Sequence, residues 1–279
     1  MLHKTEGSRA VDSRYSSALL VLSLAGVLAF GPEAGRTTSA REQRFTFEDD
    51  PEIHFLNRTG GPREFYFTRA AYTGYGFRNF RSWQVDFPKA DRQFLIGLRR
   101  LTNLHAYELE NPVRLTDPEL GRFPFLYAVE VGYMALTEAE VVGLRRYLMA
   151  GGFLVIDDFW GSVEWENFEM EFERILPGHR IVAIPLDHPI FSCFYKVREI
   201  VQVPNLGNGL NGGPTWEKDG FIPSVRGIFD DQGRLMVVIN WNTDLGDAWE
   251  WAENPYYPLK FSTYAYQVGV NFIIYAMSH

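Results

Sequence analysis

Two adjacent carboxylates, Asp157 and Asp158, directly follow the apolar run Phe153-Leu154-Val155-Ile156 and precede Phe159-Trp160-Gly161. Successive side chains of an extended chain point to opposite sides, so one acid can face a crevice while the other faces a neighbouring loop. A carboxylate placed there can act as a general base, a ligand for a hard cation or an acceptor for sugar hydroxyls. Equally, one acid can cap a helix beginning near Val163 or Glu164 while the other binds loop N–H groups, with no chemistry at all. His188, in Asp187-His188-Pro189-Ile190-Phe191, is the candidate acid–base partner for the pair, although an imidazole there also serves to stitch a loop to a sheet. Catalytic candidates are therefore Asp157, Asp158 and His188.

A ligand-binding wall can be drawn around them from Glu130, Trp160 and the Asn/Gly stretch 205–213, with Asn205 and Asn208 as its polar groups. The seven tryptophans all lie after residue 82, and Trp160, Trp216, Trp241, Trp249 and Trp251 fall outside apolar stripes. Rings in loops among Asp, Asn and Glu suit stacking on sugar faces, while core packing is expected for at least half of the tryptophans and for Trp165 outright. Neither a metal nor a cofactor is expected. Cys193 is the single cysteine, and His54, His105, His179 and His279 show no H-x-H or H-x3-H spacing, so a metal would rest on carboxylates alone. Cys193 itself, in Phe191-Ser192-Cys193-Phe194-Tyr195, reads as a buried small hydrophobe.

The elements that must position these residues are legible around the acid pair. Thr137 and Glu140 have capping-box spacing, which predicts a helix starting at Glu138, with Val141, Leu144 and Leu148 on one stripe. Gly151 or Gly152 can take the left-handed cap that ends it. Phe153–Ile156 then reads as a strand buried on both faces of a parallel sheet, and ligands of open α/β sheets collect beyond the carboxyl ends of such strands.

Around this unit, Phe65–Ala71 reads as a strand and Pro88 opens a helix to about Thr102. Val113–Leu115 and Phe125–Val131 are further strands. Trp165, Phe168 and Phe172 define a helix to Leu176, whose glutamates 164–173 form a solvated face, and Arg180–Ile184 and Ile200–Val203 read as β runs. The Gly/Asn-rich stretch Pro204–Ser224 reads as a long loop or lid, and Ile228–Ile239 as a hairpin turning at Asp230–Gly233. Trp241–Tyr257 is a polar-aromatic loop, and Ser262 caps a last helix that buries Ala265, Val268, Phe272 and Tyr275. Strands alternating with helices predict an α/β, doubly wound, mostly parallel sheet with a C-terminal hairpin addition.

The chain has 279 residues, 46% hydrophobic, with net charge −8. Residues 1–40 combine Lys4, Arg9 and Arg14 with the apolar run Ala18–Phe30 and read as a signal peptide or an N-terminal anchor. Residues 41–64 read as a linker and 65–279 as the folded domain. That places the domain in the periplasm or otherwise outside the cytoplasm, touching a membrane only through its N-terminal segment. An acidic domain without basic clusters is not built for nucleic acid.

Trp83-Gln84-Val85-Asp86-Phe87-Pro88-Lys89-Ala90-Asp91, Phe123-Pro124-Phe125-Leu126-Tyr127, Leu144-Arg145-Arg146-Tyr147-Leu148, Gly151-Gly152-Phe153-Leu154-Val155-Ile156-Asp157-Asp158-Phe159 and Asp187-His188-Pro189-Ile190-Phe191 together resemble the DUF4159 family. The resemblance covers about Phe65–Ala276 and implies an exported or membrane-associated bacterial protein without an established activity. More distantly, the helix-Gly-Gly-strand unit followed by His-Pro-Ile is similar to the class I glutamine amidotransferase-like fold of ThuA-like proteins, a flavodoxin-like arrangement. Catalytic members of that fold carry a cysteine on the strained turn after this strand. Here the turn reads Ile156-Asp157-Asp158-Phe159-Trp160, with neither a thiol nor the glycine spacing that relieves strain. The expectation is a binding domain of the bacterial envelope, with a carbohydrate or an envelope protein as partner. The alternative is a carbohydrate- or amide-acting hydrolase using Asp157, Asp158 and His188.

Overall fold

The computed structural model of the chain describes residues 43–45, 65–76 and 82–279. The segment 1–40 lies outside them, as does the 41–64 linker apart from its strand at Gln43–Phe45. In chain order the elements are β1 (Gln43–Phe45), β2 (Thr68–Ala71), β3 (Gly74–Gly76), α1 (Lys89–Leu101), β4 (Asn111–Arg114), β5 (Phe125–Val129), α2 (Glu138–Met149), β6 (Phe153–Asp157), α3 (Gly161–Ile175), β7 (Ile181–Ala183), α4 (Leu206–Asn211), β8 (Ser224–Phe229), β9 (Leu235–Trp241), α5 (Leu245–Glu250) and α6 (Leu259–Ser278). None of the described helices is long and apolar enough to cross a membrane.

One mixed sheet runs in the order β4-β2-β5-β6-β9-β8-β7, and β1 pairs separately with β3. From β4 to β9 every neighbour is parallel, whereas β8 and β7 are antiparallel additions beside β9. The last two-strand unit is thus not simply appended, because β9 belongs to the parallel core. Ile200–Val203 forms no strand. Its backbone is engaged instead by the loop leaving β9: the Val203 amide donates to Thr243 Oγ1 at 3.0 Å and its carbonyl accepts from the Asp244 amide at 3.1 Å.

Alternation along the strands divides the core into two layers. Phe125, Tyr127, Phe153 and Val155 pack with α1, α5 and α6. Leu126, Ala128, Leu154 and Ile156 pack with α2 and α3. Each fully buried aliphatic or aromatic side chain contributes about 1.5–3 kcal/mol, which is why strands apolar on both faces occupy the centre. The expected stripes of α2, α3 and α6 are the buried ones, and Trp165 packs on Phe168 and Trp241.

The capping box of α2 is present, with the Glu140 amide donating to Thr137 Oγ1 and the Thr137 amide to Glu140 Oε2. Glu140 Oε1 also accepts from the Thr73 amide at 2.7 Å, which joins the start of α2 to the turn between β2 and β3. Two helix starts differ from expectation. α6 begins at Leu259 behind Pro258, leaving Ser262 inside the helix, and α3 begins at Gly161, ahead of Trp165. The earlier start of α3 brings Glu164 into the protein, where Lys218 binds it, so this glutamate does not belong to a solvated face.

Candidate binding site at the carboxyl edge of the sheet

Three neighbouring parallel strands end in the same unusual way. Glu130 after β5, Asp158 after β6 and Asn242 after β9 all adopt positive φ, at 52°, 49° and 60°. Backbone hydrogen bonds lace these ends together: Glu130 N–H to Asp158 O at 3.0 Å, Asp158 N–H to Thr243 O at 3.2 Å and Asn242 N–H to Phe159 O at 3.1 Å. Asp86, just before α1, is also left-handed, with φ 61°. Asp and Asn accept this conformation more readily than other non-glycine residues, and each such residue stores roughly 1–3 kcal/mol of strain. The strained turn after β6 therefore forms in the absence of the glycine spacing that would relieve it. Asp158 takes the conformation itself, held through both its backbone groups and through Trp160 Nε1, which donates to its Oδ1 at 2.9 Å.

The two aspartates do different things. Asp157 is fully buried, and its Oδ2 accepts from Tyr127 Oη at 2.7 Å, the Leu245 amide at 2.9 Å and the Gly246 amide at 3.1 Å. Burial pushes its carboxyl up to about 7, with the three donors pulling the other way. Asp157 thus binds loop N–H groups and fixes the start of α5. Neither aspartate caps α3, because the first amides of that helix, Gly161 and Ser162, donate to Asn242 and Asp219. Trp160 is 2% exposed, so it serves as a strut under Asp158 rather than as a stacking platform for a sugar. Trp83, Trp165 and Trp249 are buried as well, while Trp216 is exposed.

Asp158 instead joins acids that no spacing signalled. One carboxylate oxygen each from Asp86, Asp158 and Asp244 lie within 4.8 Å of one another, and Asp86 takes part in a second such trio with Asp247 and Glu250. Each of these carboxyls is displaced upward by burial. For Asp158 the next cause is Asp157, for Asp244 it is Asp158, and for Asp86 it is Asp247 followed by Asp158. Glu130 is raised likewise by burial, then by Asp158 and Glu164. The cations that act on the cluster are already committed. Arg69 forms a buried ion pair with Asp91 and donates to Val85 O at 3.1 Å, and Lys218 pairs with Glu164. Asp86 lies in one of the segments that carry the family resemblance, and Asp244 in a loop read only as polar and aromatic. Four chain segments converge here, which is why no linear motif announces the site.

Other predicted residues lie elsewhere. The His188 ring contacts Tyr275 and Phe229, and Tyr275 also contacts Phe153 at the first position of β6. Asp157 is the last residue of β6, about 13 Å further along a strand of this pitch. His188 therefore belongs to the amino edge of the sheet, opposite the acids, where its Nδ1 accepts from the Ile190 amide at 3.3 Å. Burial lowers its pKa, with His279 contributing. Asn205 caps α4 by accepting from the Asn208 amide and donates Nδ2 to Glu217 at 2.7 Å, so Asn205 and Asn208 organise the flank near Asp247. Cys193 is half-buried against the core, its thiol 3.3 Å from Asn271 O.

Among proteins of curated function, none matches this sequence. Residues 69–277 match the family model of DUF4159, a domain of unknown function; over that span, the chain belongs to this family.

Proposed function

We propose that the chain is a non-hydrolytic binding domain acting outside the cytoplasm, with its ligand or partner engaged at the carboxyl edge of the sheet. The observation that carries this reading is the residue on the strained turn after β6: it is Asp158, buried and braced by Trp160, and not a thiol or hydroxyl nucleophile. The parallel strands follow the order 2-1-3-4-5 when counted along the chain from β2, which supports a flavodoxin-like, amidotransferase-like arrangement. In that arrangement ligands sit outside the carboxyl ends near the point where the strand order reverses, here between β2 and β5, beside Asp86 and Glu130. The separation of His188 from Asp157 and Asp158 counts against a hydrolase built on those three residues, since an acid–base pair must come within hydrogen-bond reach.

The crowded carboxylates favour ligands that bring hydrogen-bond donors or positive charge, such as sugar hydroxyls, amines or a basic surface of an envelope protein. Calorimetric titration of the full chain against peptidoglycan fragments, oligosaccharides and co-encoded envelope proteins tests the reading. Binding that Asp244→Asn weakens is the expected result. If no candidate binds, or if binding ignores substitutions along this edge, the reading is wrong.

A further inference from the structure

We propose that Asp86, Asp158 and Asp244 form a site for one hard divalent cation, of the Ca2+, Mg2+ or Mn2+ class. This deepens the binding reading above and rests on the same edge of the sheet. The first support is geometric. Bonds of about 2.0–2.6 Å to such ions keep their oxygen ligands within roughly 4–5 Å of each other, and the three carboxylates already meet that condition. The second support is an oxygen with nothing to bind. Asp86 retains some exposed residue surface, yet its Oδ2 is closed off from water and has no hydrogen-bond partner. That oxygen lies over Gly246, where an added Cβ would collide with it and would also stand 3.5 Å from Asp244 Oδ1, so it lies on the Asp244 side of Asp86. A buried carboxylate oxygen left unpaired carries a desolvation penalty that a cation removes.

The third support is orientation. Trp160 Nε1 holds Oδ1 of Asp158, and the Asp247 amide holds Oδ1 of Asp244 at 2.7 Å, which leaves each residue a second oxygen in a set direction. Outer hydrogen bonds of this kind are what fix ligating carboxylates. Both aspartates are also nearly buried, at 5% and 4% exposure, whereas Glu250 in the neighbouring trio is only half-buried. Among the described residues, the cations nearest the cluster, Arg69 and Lys218, are paired with Asp91 and Glu164, so they offset its charge only in part. With oxygen as the sole ligand type, the site selects hard ions over thiolate- or imidazole-seeking ones.

The test uses the full chain stripped with chelator. Tb3+ is titrated first, with its luminescence excited through the tryptophans, Trp160 being the one bonded to a ligand, and Ca2+, Mg2+ and Mn2+ are then added as competitors. One saturable site is expected, displaced by at least one of the three ions, with Asp158→Asn and Asp244→Asn each weakening affinity at least about tenfold. Glu250→Gln, which removes a carboxylate of the other trio and only a more distant charge from Asp86, should lower affinity by less than about threefold. Both Asn variants remove charge from a crowded cluster, so their ion-free melting temperatures should equal or exceed that of the parent; should either fail to fold, Asp86→Asn is read in its place. No displacement by any of the three ions in millimolar excess overturns the proposal, and so does affinity that survives the Asn substitutions. If cations fail to bind while an organic or protein ligand does bind at this edge, the metal site falls and the binding reading stands.

Discussion

The amide of Glu130 donates to the carbonyl of Asp158 across 3.0 Å, joining two left-handed residues that end adjacent parallel strands. The bond continues the ladder between β5 and β6 one step past the point where both strands turn away. Asp158 is thereby held in a conformation it would rarely adopt alone, with its side chain presented to Asp86 and Asp244. Substitutions at this position should separate backbone strain from charge. Asp158→Asn keeps an acceptor for Trp160 and tolerates positive φ, so its stability should stay within about 1 kcal/mol of the parent. Asp158→Val forces a β-branched residue into the left-handed region and strands the indole N–H, and should cost at least about 2 kcal/mol. Urea melts of the two variants give the comparison; equal stabilities would mean the turn is not strained.

Arg69 and Asp91 form a completely buried ion pair, and Arg69 Nη1 further holds the carbonyl of Val85 in the segment that leads to Asp86. Truncating Asp91 to Ala strands a guanidinium in the core and should destabilise the fold by about 3–5 kcal/mol. Arg69→Lys should also be damaging, because an ammonium cannot reach Asp91 and the Val85 carbonyl together. Guanidinium denaturation reads both effects, and a loss below about 1 kcal/mol for Asp91→Ala would contradict the pairing.

A pH effect is expected at the turn between β8 and β9. Burial alone would raise the Asp230 carboxyl, but the Arg234 and Gln232 amides and the Arg234 guanidinium outweigh it and hold it below the usual range. A depressed folded-state pKa contributes stability above the unfolded value of about 3.9, lost as pH falls through the folded value. Asp230→Asn keeps an acceptor for both amides and loses the charge and its Arg234 partner, so it should be less stable by about 0.3–1 kcal/mol at neutral pH. The gap should narrow as melts are repeated below about pH 4. A gap of constant size across that range would show that charge plays no part.

Gly143 lets α2 approach the end of β4 closely enough that an added Cβ would strike the carbonyl of Leu115. Alanine is ordinarily the better helix former, by about 1 kcal/mol. Here Gly143→Ala should instead destabilise by about 1–3 kcal/mol, since the obstacle is backbone and cannot rotate away. A stabilised variant in thermal melts would disprove the close approach.

The Cys193 thiol is pushed up by burial and packs against the core, its sulfur near the carbonyl of Asn271. In native protein its alkylation by iodoacetamide at neutral pH should be at least about tenfold slower than in the unfolded chain, because the thiolate is the reactive form. Mass spectrometry of timed samples decides it, and comparable rates would show a thiol open to reagent.

Much of this molecule is written locally. Thr137 and Glu140 determine where α2 begins, because a capping box needs only residues three apart, and the continuous apolar run 153–156 marks a strand buried on both faces. The stripes of α3 and α6, and the placing of Asp157 and Asp158 at a strand's carboxyl end, follow from period and composition in the same way. Tertiary structure decided what the acids do. The length of β6 separates His188 from them, the indole of Trp160 folds inward to Asp158, and Asp86 and Asp244 arrive from segments on either side in sequence. Hydrogen bonding and apolar periodicity act over a few residues and can be read from neighbours. Electrostatic crowding depends on distance in space, and only the assembled sheet and its loops bring those carboxylates within reach of one another.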